Sequence, residues 1–305
     1  MMENKTQREC SLYVYTLDSN PEFPLTEGGF QSLKHAKNCL NAAMALEENF
    51  DLLINNYRDL ELEAISASVN DMTTGMPDYD DFFEVRTRLN RRVINLLSAT
   101  RMYMDQCPQL LKRIGAEPKA AKEVSSKAYD DAFEYRFMEA LRNHVQHAGL
   151  AVHGVTMGKS WLPAEAPEKL QFSITPYASR SVLEESSGFK RAVLDECPDQ
   201  VGITSAARIH VGGISSVHRK ARELIDPFVH EARRLFQDTI ARHEGEAENR
   251  CLGLFALARE DGEIVEKISI LLDWDDIRQN LVRKNHPIEN LGRRFVTSEA
   301  KGGAV

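Results

Sequence analysis

Apolar residues recur every three or four positions over much of this chain, which is the spacing of helices with one buried face. From about Gln31, a stripe of Leu33, Ala36, Leu40, Ala43, Phe50, Ile54, Tyr57, Leu60 and Ala64 predicts a helix of about thirty to forty residues. The stretch Asp71-Met-Thr-Thr-Gly-Met-Pro-Asp78 breaks it. Phe82, Val85, Leu89, Val93, Leu96, Leu97, Thr100 and Met104 predict a second long helix stopping near Cys107-Pro108. A third is expected from Ala120 to Ala148, after a connection containing Gly115 and Pro118. A fourth is expected from near Ser215, where Val217, Ala221, Ile225, Phe228, Ala232 and Phe236 share a stripe and Pro227 should kink or split it. The first three, in sequence and joined by modest loops, predict an up-down bundle whose core the fourth closes.

Other stretches change period. Leu12 to Thr16 reads as a short strand or irregular arm, Leu150 to Met157 as a strand, and Leu170 to Thr175 alternates strictly. Leu252 to Ala258 and Ile264 to Leu272 read as a hairpin about Asp261-Gly262. A helix from Trp274 to about Asn285 follows, and the last ten residues should fray. The expected fold class is therefore mainly α: a bundle with two small β-hairpin additions. Its divisions are an N-terminal arm over 1–30, the bundle over 31–245 with a β-rich insertion at about 150–180, and a hairpin plus helix over 246–305.

Composition narrows the function classes. Hydrophobic residues at 42% and charged residues at 28% are those of an ordinary globular chain. No apolar run reaches membrane-spanning length and the start lacks a signal-peptide core, so a cytoplasmic protein with no membrane partner is expected. Cys10, Cys39, Cys107, Cys197 and Cys251 are scattered, which argues for reduced thiols, and Cys39 falls on a core stripe. A net charge of −8 argues against unspecific duplex binding. Arg86, Arg88, Arg91 and Arg92, with smaller clusters near Arg219 and Arg283, read first as solvated helix faces, though a local groove for a few phosphates remains open.

The most concentrated chemistry lies in Phe133 to Gly149. As a helix, this stretch puts Phe133, Phe137, Ala140, Leu141, His144 and Ala148 on one apolar stripe, with Arg136, Asn143 and His147 on its flank. His144 is then core, and Gly149 supplies a natural stop. A histidine that titrates near neutrality can move a proton at a 2′-hydroxyl or a leaving oxygen. An arginine fork can hold the phosphate as charge builds, and an asparagine can orient either. The plainer alternative is that His147 caps its own helix end and Arg142 makes a surface ion pair. Arg142 and His147, five apart, point about 140° from each other on an ideal helix. A single site needs the arginine to wrap round, the last turn to distort, or a second copy of the helix, which suggests a dimer. Histidines 144, 147 and 153 fit a metal site poorly, and Gly212-Gly213 reads as a turn; no metal or cofactor is expected.

Arg142-Asn143-His144-Val145-Gln146-His147 resembles the R-x4–6-H signature of the HEPN superfamily. That resemblance implies a helical bundle with the signature on a late helix, often a homodimer with motifs facing across the interface. It implies a metal-independent endoribonuclease of toxin–antitoxin, abortive-infection or CRISPR-linked phage-defence type, in which Arg142 binds the scissile phosphate of RNA, His147 is the acid–base and Asn143 is the polar residue beside them. An antitoxin or other protein partner belongs to the same expectation. Some family members are inactive scaffolds. Certain toxins carry a tyrosine two residues past the histidine, where this chain has Gly149. The second reading is thus a catalytically silent, dimerising interaction module.

Overall fold

The structure, a computed structural model, describes residues 8–17, 20–74, 78–162, 169–186, 188–244 and 252–297. The expected fraying of the last ten residues falls largely outside them, as does Cys251. The chain is mainly helical with two small antiparallel sheets.

Helix α1 (Glu27–Thr73) begins where the Thr26 hydroxyl accepts the Gly29 amide at 3.0 Å, an N-cap bond. Helix α2 (Tyr79–Ile114) begins at a reciprocal box in which the Asp81 amide donates to the Asp78 carboxylate and the Asp78 amide to that of Asp81, both at 3.0 Å. Contrary to expectation Pro108 does not stop α2. Cys107, Leu110, Leu111 and Ile114 continue its buried face, and their burial outweighs the lost backbone bond.

The helix expected over 120–148 is two. Lys119–Asp131 forms α3 and Phe133–His147 forms α4, with Ala132 extended between them. Arg136 explains why the interruption is tolerated. Its guanidinium donates to the carbonyls of Tyr129 and Asp130 at 2.8 and 2.9 Å, capping the end of α3, and pairs with Glu196.

Beyond α4, strands β3 (Gly154–Trp161), β4 (Leu170–Ser179) and β5 (Gln200–Gly202) form one antiparallel sheet in that order. Two short helices, α5 (Arg180–Glu184) and α6 (Arg191–Leu194), lie between β4 and β5. Helix α7 (Ile203–Glu244) starts twelve residues before the expected Ser215 and contains Pro227. Gly212 and Gly213 lie inside it, not in a turn. A Cβ at Gly213 would come within 2.8 Å of the Tyr135 ring, so close packing of α4 on α7 requires the glycine.

By contacts the chain groups into two compact units. The first comprises 1–48, 106–118 and 221–286. Its sheet, ordered β2 (Glu22–Leu25), β1 (Arg8–Tyr15), β6 (Gly253–Glu260) and β7 (Glu263–Ser269), joins the expected N-terminal arm to the expected C-terminal hairpin. Asp261 and Gly262, with φ of 51° and 85°, make the tight turn between β6 and β7. Helix α8 (Asp273–Lys284) follows.

The second unit comprises 49–105, 119–220 and 287–305 and contains the Arg-Asn-x-x-x-His stretch. Within it Glu63 of α1 meets Arg88 of α2 while Phe50 meets Tyr103, so these helices run antiparallel. Glu61 meets Arg208 while Phe50 stacks on His218, so α7 is antiparallel to α1. Glu139 meets His210 while Tyr135 packs over Gly213, so α4 is antiparallel to α7. No described helix is long and apolar enough to cross a membrane.

Candidate functional site

Tyr135, Phe137, Met138, Ala140, Leu141 and His144 bury one face of α4, which fixes the helix and presents its other face to solvent. Asn143, Gln146 and His147 are exposed on that face and Arg142 is half-buried. The Arg142 fork donates to the Asn143 side chain and, at 3.0 Å, to Gln146, one turn along the helix. Its Nε is buried and has no hydrogen-bond partner among the described residues. His147 has neither a hydrogen bond nor an ion pair among the described residues. The structure thus joins Arg142 to Asn143 and brings neither to His147. The alternative, a cap made by the His147 side chain, is not seen among the described residues; the helix end closes through the amides of Ala148 and Gly149, which donate to the His144 carbonyl at 2.8 and 3.2 Å.

Gly149 follows the helix for a different reason than a left-handed turn: its φ is not positive. A Cβ there would lie 3.0 Å from His144 Nε2, so the glycine lets the chain close over the buried ring. His144 is 3% exposed, as its place on the apolar stripe implied. Its Nδ1 bonds the Ser186 hydroxyl at 3.1 Å and its Nε2 has no partner among the described residues.

His153 packs edge-on to His144, ring centroids 6.0 Å apart. Its Nδ1 accepts the Ser179 amide at 2.9 Å and its Nε2 donates to the Leu150 carbonyl at 3.0 Å, a pattern only the neutral ring can make. Burial, as the largest cause, holds both histidines below their ordinary value of 6.5. The unfolded chain therefore takes up these protons first as pH falls. Their contribution to stability is complete above about 6.5 and is lost as pH drops through their lowered folded values. A fall in Tm between pH 7.5 and 5 is expected, with a smaller fall in a His153→Gln variant. Equal falls in the two proteins would reject this account.

These histidines, Ser186 and Arg86 border an open cleft of about 560 Å³ whose wall includes Ala148, Gly149 and Leu150, the residues immediately after His147. Sequence reasoning did not find this cleft, because Arg86 and Ser186 lie far from α4 along the chain. Of the arginine cluster on α2, Arg88 and Arg92 pair with Glu63, and Arg92 also with Asp59. The Arg86 guanidinium makes no hydrogen bond or ion pair among the described residues. Cys39 is buried, as expected of a core thiol. Among the described residues no three histidine, cysteine, aspartate or glutamate side chains are placed to share a metal ion. Comparison of the chain with protein-family models, curated proteins and solved structures finds no match.

Proposed function

We propose that this chain is a HEPN-like, metal-independent endoribonuclease, with Arg142, Asn143 and His147 as its site and a homodimer as its working form. The observation that carries the reading is His147 itself. It is an exposed imidazole, unengaged among the described residues, on the last turn of a helix whose opposite face is firmly buried. The alternating directions of α1, α2, α4 and α7 are those of an up-down bundle and support the same family.

In this reading His147 removes the proton from an RNA 2′-hydroxyl as that oxygen bonds to the neighbouring phosphorus. The phosphorus–O5′ bond breaks, and the leaving oxygen receives a proton from an imidazolium. The products carry a 2′,3′-cyclic phosphate and a 5′-hydroxyl. Arg142 steadies the non-bridging oxygens once its fork is released from Asn143 and Gln146, and Asn143 orients the phosphate. A second copy of α4 supplies the groups that the 140° divergence keeps apart in one helix.

Purified protein in EDTA should cleave single-stranded RNA. His147→Ala and Arg142→Ala should each lower the rate by about 100-fold or more. Cleavage that persists in both folded variants sinks the assignment. A wild-type protein that cleaves nothing favours the silent interaction module. That reading draws support from the Arg142 fork, whose hydrogen bonds are already spent on its own helix.

A further inference from the structure

The cleft beyond α4 contains a charge that no carboxylate among the described residues pairs. Arg86 is half-buried on its border, yet its guanidinium has no hydrogen bond or ion pair among the described residues. Arg88 and Arg92, on the same helix, are committed to Glu63, Glu84 and Asp59. None of the Arg86 nitrogens is sealed from solvent without a partner, so the hydrated head can meet an anion in the cleft without breaking an ion pair.

The rest of the lining suits the same ligand. Ser186 offers a hydroxyl, whose proton is available to an anion when His144 Nδ1–H donates to its oxygen; the His144 ring itself is sealed beneath Gly149 and serves as wall. Both nitrogens of His153 are spent on backbone groups, so this ring is wall and not ligand. Val152 and Val182 give the cleft an apolar side. One carboxylate, the exposed Glu185, opposes an anion from the lining. One turn before Arg86, Phe83 is 51% exposed, with the guanidinium carbon 5.6 Å from its ring centroid. An exposed ring beside a free arginine supplies the two elements that bind single strands, a face for a base and a charge for a phosphate. A second cleft in this unit, lined by Glu63, Asp71, Asp81 and Glu84, is acidic and would repel a strand.

We propose that the cleft formed by Arg86, Ser186 and the 148–150 turn binds a backbone phosphate of single-stranded RNA adjacent to the one cleaved. The proposal rests on the ribonuclease reading for its substrate, but not for its geometry. The turn that walls the cleft begins one residue after His147, so a strand held at α4 passes directly into it. Arg86 is then a substrate-positioning residue that never touches the reacting phosphate.

The test is the affinity of full-length protein for a fluorescein-labelled single-stranded oligoribonucleotide, measured by anisotropy in EDTA. A His147→Ala background prevents cleavage during the measurement. Arg86→Gln should raise Kd by about 10-fold and reduce the slope of log affinity against log salt by about 0.7, the share of one phosphate on a single strand. Arg86→Lys should recover part of the loss, and Glu185→Gln should tighten binding. In a cleaving background Arg86→Gln should raise KM with kcat little changed. The Arg86 head makes no hydrogen bond or ion pair among the described residues and only an exposed contact with the Phe83 ring, so the thermal melt of Arg86→Gln should lie close to that of its parent. Binding without cleavage, lost on Arg86→Gln, supports this site while rejecting the enzyme. Unchanged affinity and salt slope in Arg86→Gln overturn it even if the protein cleaves RNA. No RNA binding at low salt overturns it as well.

Discussion

Replacing Asp275 with alanine is expected to destabilise the fold by about 3–5 kcal/mol, because it leaves two largely buried cations without their common partner. Asp275 is fully buried in the first turn of α8. It accepts from Arg278 Nε and Nη2 at 2.6 and 3.0 Å and also from Arg233 Nη1. Arg278 is 8% exposed and has no second carboxylate among the described residues; Arg233 keeps Asp276 at 2.6 Å. The α8 N-terminus has no side-chain cap bond, so the charge of Asp275 also favours that helix end electrostatically. Asp275→Asn retains the shape and one acceptor, and should fall between wild type and alanine. The urea midpoint of the three proteins measures the effect. A loss under about 1 kcal/mol for the alanine variant would mean that solvent reaches the guanidinium groups and screens them.

The long helices and the C-terminal hairpin were legible in the sequence for a common reason: each buries one face against the fold, and burial leaves a period. Where the sequence reading failed, two local signals competed. Pro108 and Pro227 read as breaks, yet the stripes beyond them, Leu110 to Ile114 and Val229 to Phe236, are long enough to carry the helix through. At Ala132 the opposite holds. No glycine or proline announces the break, which depends on an arginine four residues later capping two carbonyls. Gly212-Gly213 looked like a turn because glycine commonly serves turns; here Gly213 serves contact, and contact requires knowing that Tyr135 lies opposite.

The candidate site divides in the same way. Spacing correctly placed His144 inside and Asn143 and His147 outside, since one helix decides all three. Their environment needed other elements. The cleft wall comes from α2, the 148–153 turn and the α5 end, and no periodicity along α4 carries information about those partners. Arg86 was visible only as one of four clustered arginines. What separates it from Arg88 and Arg92 is the position of two acids on a different helix.

Asn90 is the residue by which α2 holds that wall, and its replacement by alanine is expected to cost about 4 kcal/mol. The side chain, 4% exposed, makes four bonds to backbone. Its oxygen accepts the amides of Ala151 and Val152 at 3.0 and 2.8 Å, and its nitrogen donates to the carbonyls of Val152 and Arg86 at 2.9 and 3.1 Å. Ala151 and Val152 are fully buried, so their backbone groups, once released by the alanine, have no water to turn to. Asn90→Asp preserves both acceptor bonds but sets a carboxylate against the Val152 carbonyl, and should destabilise less. The functional consequence differs from simple loss of stability. Asn90 lies one turn from Arg86, so it fixes the distance between that charge and the turn following His147. In the alanine variant, hydrogen exchange should quicken at the Ala151 and Val152 amides before it does so in the core of α4, and RNA affinity should fall with Arg86 still in place. Exchange that speeds uniformly through the unit would instead make Asn90 part of the global core, with no separate hold on the cleft.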